Sequence, residues 1–366
     1  MRKILILFFC LPLLGMAQKT YMPDDDFEWY IESLGYGDGI AYNDSVLTAS
    51  IDTILTLDIN YSTIENIKGI EDFISLEHLL CTGSYVENFI LDNPNLITFI
   101  MNNSFSNIDS VILNCPKLEV YYAHSSSIYN INVDGCPLLK EVYLSHSTFF
   151  THINFQNNLE LEMLNLEDSD IQFLDCSNLS NLEYIVALSC SDLASVNLTG
   201  CTALEIVYVT GGSFTILDLT TNTSLSIIEC DGNYIEHLDV SNCLQLNRFI
   251  CSDNNLSTLN MTNINLTNIW SFDPTSNPEL TCIEVNDTAL ANYEWKAIYG
   301  DIDTQHYFSL NCGWDPVIIE EENSLSTNRY LISIVDILGR ESKPTPNVPL
   351  FYRYDDGTVE KKLIIE

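Results

Sequence analysis

A steady internal period is the strongest constraint on what this chain can fold into. Leu76, Leu96, Leu118, Leu139, Leu161, Leu182, Leu204, Leu225 and Leu246 open successive units at spacings of 20, 22, 21, 22, 21, 22, 21 and 21 residues. A period of this length marks a chain built from stacked copies of one small supersecondary unit. Within the unit from Leu225, apolar residues stand at Leu225, Ile228, Cys230, Ile235, Leu238 and Val240. The next unit repeats them as Leu246, Phe249, Cys251, Leu256, Leu259 and Met261. Two short stretches in each unit alternate with period two, as Ile228-Glu229-Cys230 and Leu238-Asp239-Val240 do, which predicts two strands of about three residues. No unit holds a useful helical period. One unit cannot bury its apolar side alone, so neighbours must stack and the ends must be capped. The spacing predicts nine or ten units.

The pattern L-x-x-L-x-L/C-x-x-N-x-L over roughly residues 54–280 resembles the leucine-rich-repeat family. The resemblance implies a mainly β repeat solenoid: a right-handed superhelix with short parallel strands, little helix and a concave sheet at the fourth to sixth positions. The ninth position, usually Asn or Cys, is Asn233, Asn254 and Cys190 here. Elsewhere it is Ser84, Ser104, Ser126, Ser147, Ser169 or Gly212. That departure predicts less regular turns in the first half. The cysteines fit the repeat: Cys81, Cys230 and Cys251 take the inward sixth position. Cys115, Cys136, Cys201 and Cys243 stand three residues before the next opening leucine. They read as small buried hydrophobes.

The ends differ. Arg2 and Lys3, the apolar run Ile4–Leu14 and Gly15-Met16-Ala17 read as a signal peptide over residues 1–17. Residues 18–53 hold Pro23, the acidic triplet Asp24-Asp25-Asp26, a short helical stretch to Leu34 and a stop at Gly35. With Leu34-Gly35-Tyr36 and Val46-Leu47-Thr48-Ala49 they resemble the N-terminal cap of secreted bacterial leucine-rich-repeat proteins. The repeats are assigned to 54–281 and a C-terminal cap to 282–315. In that cap Cys282 and Cys312 lie outside the repeat positions of an exported chain, and a disulfide between them is expected. Residues 316–323, with Glu320-Glu321-Glu322, read as a linker.

Residues 324–366 change character, with strand-like runs 330–337, 350–354 and 359–365. Asp336-Ile337-Leu338-Gly339-Arg340-Glu341 and Pro349 through Lys362 resemble the C-terminal sorting domain of the type IX secretion system of Bacteroidetes, in its flavobacterial form. Asp336, Gly339, Arg340, Tyr354, Asp356, Gly357, Lys361 and Lys362 carry the match. The resemblance implies a small β-sandwich-like domain. It also implies the secretion machinery and its sorting peptidase as partners, and a secreted or outer-cell-surface protein that is not integral to the membrane.

Charge narrows the partners. With 51 acidic against 14 basic residues the formal net charge is −37, which argues against nucleic acid, since binding phosphates needs a basic patch. No G-x-S-x-G, H-E-x-x-H, phosphate loop, EF-hand loop or C-x-x-C is present, so neither catalysis, nor a cofactor, nor a metal site is expected. His124 and His146, both following the strands of adjacent repeats, read as an in-register pair of solvent-facing turn residues about 5 Å apart. The outward columns of the first strand are more informative. Most of their members are apolar or aromatic where solvent is expected, among them Val120, Tyr122, Tyr143, Met163, Tyr184, Val186, Ile206 and Tyr208, although His78, Thr98, Glu141, Asn165, Glu229 and Arg248 also stand there. The outward column of the second strand (Asn132, Asn154, Asp175, Asn197, Asp218, Asp239, Asn260) is uniformly polar. An exposed apolar patch marks an interaction surface. The eight residues are therefore the candidate binding face for an extracellular protein or glycan. The alternative is a structural or adhesive component that self-associates through the same face.

Overall fold

A computed structural model of the chain describes residues 18–87 and 89–313, together with the strands Leu331–Val335, Pro349–Tyr354 and Val359–Leu363. Two compact units divide between Trp314 and Asp315. The larger is a β-solenoid with little helix, the leucine-rich-repeat architecture that the leucine spacing predicts. Its spine is an eleven-stranded sheet running from Thr56–Asp58 to Ser271–Asp273, every neighbouring pair parallel. Eleven strands exceed the nine or ten units counted from leucines. The first and last repeats open on Ile54 and Ile269 instead.

Each three-residue strand buries its middle side chain and leaves its two flanks partly exposed, as the period-two alternation requires; the first strand, with exposed flanks, is the limiting case. The middle column (Leu57, Leu79, Phe99, Tyr121, Val142, Leu164, Ile185, Val207, Ile228, Phe249, Phe272) runs through the core, joined by the opening leucines. The second strands form shorter ladders: Phe89–Leu91 with Val111–Leu113 and Ile131–Asn132, Phe173–Asp175 with Ser195–Asn197, and His237–Asp239 with Thr258–Met261 and the cap.

The backbone of the turns is regular in both halves, with a positive φ at Asn103, Ser125, His146, Asp168, Ser189, Gly211, Gly232 and Asp253, but the ninth-position bond is not uniform, and Ser104 Oγ is buried without a partner among the described residues. Asn233, Asn254 and Asn277 each donate from Nδ2 to the sixth-position carbonyl of the preceding repeat: Val209, Cys230 and Cys251, at 2.8, 2.9 and 3.0 Å. Ser126 Oγ reaches Met101 O at 2.8 Å, Ser147 Oγ reaches Ala123 O at 2.6 Å, and Cys190 Sγ reaches Leu166 O at 3.1 Å. Three residue types thus make the same inter-repeat bond. A second ladder lies three residues before the opening leucines. There Asn93, Asn158 and Asn222 donate to Ile70, Val133 and Leu198 carbonyls. Cys115, Cys136 and Cys201 donate to Leu91, Leu113 and Cys176 carbonyls. These cysteines are more than small hydrophobes. Burial pushes the thiols of Cys136 and Cys201 up to about 11 and those of Cys115 and Cys243 up to about 12, so they stay protonated donors.

The ladder makes a prediction. Asn254 Nδ2 also reaches the carbonyls of Cys251 and Ser252, and its Oδ1 accepts from the Ile235 N–H at 2.9 Å. Asn254→Ala strands several buried backbone groups and should lower the unfolding free energy by about 2–3 kcal/mol. Asn254→Ser, which restores the donor found at Ser126 and Ser147, should lose about half as much. Urea denaturation reads both; equal losses would mean that the side-chain bond contributes nothing.

The N-terminal cap pairs Lys19–Tyr21 antiparallel with Ser45–Leu47 and buries Phe27 and Ile31 of the helix Asp25–Ser33. The acidic triplet makes specific contacts with the cap helix and the first repeat. Asp24 caps the helix through the Phe27 N–H and accepts from the Glu65 and Asn66 N–H groups of the first repeat, all at 2.9 Å. Asp26 accepts from the Thr63 hydroxyl. Fully buried Glu28 accepts from the Asn43 and Asp44 N–H groups at 3.0 and 2.8 Å.

The C-terminal cap adds the strands Cys282–Val285 and Tyr307–Ser309 and the helix Thr288–Glu294, which Asp287 caps. Phe249, Phe272, Trp295 and Phe308 form a chain of ring contacts at 5.8, 4.6 and 5.8 Å that closes the core. Cys282 and Cys312 are disulfide-bonded, with Cα atoms 5.7 Å apart. The second unit contains an antiparallel sheet of Leu331–Val335, Pro349–Tyr354 and Val359–Leu363, with the middle strand in sequence also central in the sheet. Its described residues make one sheet, not two layers.

Candidate binding face

The eight residues singled out above converge. Parallel in-register pairing sets Val120, Glu141, Met163, Tyr184 and Ile206 in one row, and Tyr122, Tyr143, Asn165, Val186 and Tyr208 in the other. All eight lie on five consecutive strands and are partly exposed. Neighbouring strands stand about 4.8 Å apart, so each row is a continuous strip.

The two polar residues among these ten are engaged by their own sheet. Glu141 accepts the Tyr122 hydroxyl at 2.6 Å, and Asn165 Oδ1 accepts from the Glu167 N–H at 3.0 Å. The Tyr122 and Tyr143 rings meet edge to face at 4.5 Å. Burial first, and the Glu141 carboxylate second, raise the pKa of both phenols, so they act as neutral donors and apolar faces.

The polar second-strand column has a local cause. Asn132, Asp175, Asn197, Asp218, Asp239 and Asn260 each accept through Oδ1 from the N–H two residues on, at 2.8–3.1 Å. Asn154 does the same for Gln156 at 3.0 Å. These are Asx turns, demanded by the bend after the strand. The contrast between the two columns therefore reflects turn chemistry as well as surface use, and the binding face must be judged on its own apolarity.

A charged end borders the strip. Arg248 Nε donates to Glu229 at 2.5 Å and Nη1 to Ser271 Oγ at 3.0 Å, while its guanidinium sits 5.1 Å from the Trp270 ring. Burial, with Glu229, Asp253 and Asp273 nearby, raises the Asp231 carboxyl. Trp270 is two-thirds exposed and was not among the sequence candidates. It stands at the second position of a repeat that opens on isoleucine, outside the leucine count. The exposed ring pairs Tyr85–Phe105 (5.4 Å) and Tyr129–Phe149 (4.9 Å) were missed as well. Their 20-residue spacing was the available signal.

His124 and His146 require a correction. Their ring centroids are 5.1 Å apart, edge to face, but they are not in register. Continuing the Tyr122–Tyr143 register sets His124 opposite Ser145, whose Oγ lies 2.7 Å from His124 Nδ1, and His146 one residue further along the turn. There His146 Nδ1 meets Asp168 Oδ2 at 2.9 Å. The residues that resemble a sorting signal fall in the second unit. Tyr354 pairs with Leu331, while Lys361 and Lys362 pair with Phe351 and Leu350. Asp336, Gly339, Arg340, Asp356 and Gly357, like residues 1–17 that read as a signal peptide, lie outside the described residues.

No family model and no curated protein matches the chain. Solved structures with a similar course include the functional domain of InlJ from Listeria monocytogenes (20% identity, TM-score 0.46, 74% of this chain and 68% of that one). They also include the internalin InlF from Listeria monocytogenes (15% identity, TM-score 0.38, 73% and 96%). YopM from Yersinia enterocolitica is a third (18% identity, TM-score 0.41, 58% and 51%).

Proposed function

We propose that this chain is an exported recognition protein whose eleven-stranded sheet binds a protein or glycan outside the cell. The observation that carries the reading is the strip from Val120 to Tyr208: eight apolar or aromatic side chains, partly exposed, on five consecutive strands. Its only two polar members are already engaged. Aromatic residues on a fixed backbone offer contact area at small entropic cost, and tyrosine adds a hydroxyl. No catalytic role is assigned to any residue. Export rests on the N-terminal segment 1–17 and on the resemblance of the tail to a type IX sorting domain, which would engage the secretion machinery and its peptidase. The Cys282–Cys312 disulfide supports it, because such bonds persist in oxidising compartments. Among the described residues no helix is long and apolar enough to cross a membrane.

The test is a screen of the full chain against glycan and surface-protein arrays, beside a variant with Tyr122, Tyr143, Tyr184 and Tyr208 all replaced by serine. One anchoring aromatic contributes about 2 kcal/mol to a typical interface. The fourfold variant should therefore lose a hit by about a hundredfold or more while keeping its circular dichroism and cooperative unfolding. A hit retained undiminished would remove the strip from consideration. Concentration-dependent assembly of the wild-type chain, abolished in the variant, would identify the partner as a second copy of the chain.

A further inference from the structure

The turns beyond the strip bring together a set of donors that no local motif contains. Among the described residues, one ring nitrogen of His146 and one carboxylate oxygen each from Glu167 and Asp168 lie within 4.8 Å of one another. His146 and Asp168 occupy equivalent turn positions of adjacent repeats, both in the left-handed region at φ 53° and 51°. The ladder holds the frame: the His146 N–H donates to Glu167 O at 2.7 Å and the Asp168 N–H to Leu188 O at 2.9 Å. Asn165 holds the Glu167 N–H from the other side. A second imidazole, His124, stands 5.1 Å from the first. The contact of its Nδ1 with Ser145 Oγ, at 2.7 Å, orients that ring, and its nitrogens are not among the three converging donor atoms.

We propose that His146, Glu167 and Asp168 bind a divalent transition-metal ion of the zinc and copper class, with His124 beside them. Imidazole nitrogen with two carboxylates suits zinc or copper, which take nitrogen and oxygen at about 2.0–2.2 Å. Calcium, which needs six to eight oxygens, is poorly served. Closing ligand atoms from within 4.8 Å onto one ion asks only for rotation of side chains that are partly in solvent, since the backbone is already fixed. The ion takes the place of the direct contact between His146 Nδ1 and Asp168 Oδ2. The site is independent of the apolar strip, so either can fail without the other.

The full chain, stripped with a chelator, is titrated with zinc chloride by calorimetry in excess calcium, which occupies the diffuse acidic surface. One zinc ion per chain should bind in a step separate from weak surface binding. His146→Asn and Asp168→Asn, which keep a residue tolerant of positive φ, should each weaken that step about tenfold or more. His237→Ala, at another exposed histidine, should leave it unchanged. Copper(II) bound at one equivalent should show nitrogen splitting in its paramagnetic resonance spectrum, lost in His146→Asn. An unchanged isotherm in either asparagine variant, or a copper spectrum without nitrogen splitting, overturns the proposal.

Discussion

Tyr121→Ala is expected to destabilise the solenoid by about 3–5 kcal/mol. Tyr121 is among the largest fully buried side chains. Its ring stacks on Phe99 at 5.5 Å with an interplanar angle of 11°, and its hydroxyl reaches only the Met101 sulfur, at 3.5 Å. Truncation removes a ring from the middle column and leaves a cavity between repeats. In a stacked array each repeat contacts only its neighbours, so the damage falls on the interfaces with the strands Thr98–Ile100 and Glu141–Tyr143. The array then divides into two weakly coupled halves, and urea denaturation should broaden as well as shift. Tyr121→Phe keeps the stack and gives up only a contact with sulfur, so its cost should stay below about 1 kcal/mol. A loss that small for alanine would mean that the core collapses around the gap, contrary to the packing described.

Breaking the Cys282–Cys312 bond should have the next largest effect. The bond closes a loop with a sequence separation of 30 residues, and loop-closure entropy alone sets its contribution at about 3–4 kcal/mol. That loop contains the helix Thr288–Glu294, Trp295 and Phe308, which cover the last repeat. The pair Cys282→Ser and Cys312→Ser, or reduction, should therefore loosen the C-terminal cap first. Hydrogen exchange should rise over residues 258–313 while the strands around Tyr121 keep their protection. Alkylation of the denatured chain should gain two sites on reduction. Unchanged exchange in the cap would mean that the aromatic chain holds it without the cross-link. The nine other described cysteines are buried, and the native chain should leave them unlabelled.

Much of this was legible in the residues. The 20–22-residue period predicts the parallel stack because a repeat can bury its apolar side only against a copy of itself. The alternation in each unit then places Tyr122 and Tyr143 outward and Tyr121 and Val142 inward. The cap helix was readable from Pro23, Asp24 and Gly35. What escaped did so for identifiable reasons. Two of the eleven strands were uncounted because isoleucine opens their repeats. The serine turns looked irregular because the family pattern specifies a residue, whereas the backbone keeps a positive φ at Asn103, Ser125, His146 and Asp168 as at Gly232 and Asp253, whichever residue follows.

The sequence by itself determined the solenoid, its direction of stacking and which face of each strand meets solvent. All three follow from hydrophobic spacing, which reports burial and survives substitution among apolar residues. Only the tertiary structure decided which polar groups meet. Asp24 reaches Glu65 and Asn66, Asn254 reaches Cys230, and His146 meets Asp168 where its sequence position had paired it with His124. The physical reason is range and direction. Burial is averaged over a whole repeat, so a shift of one residue in a turn leaves the period intact. A hydrogen bond or a metal ligand must lie within about 3 Å along a defined line, and the same one-residue shift decides which side chain is there.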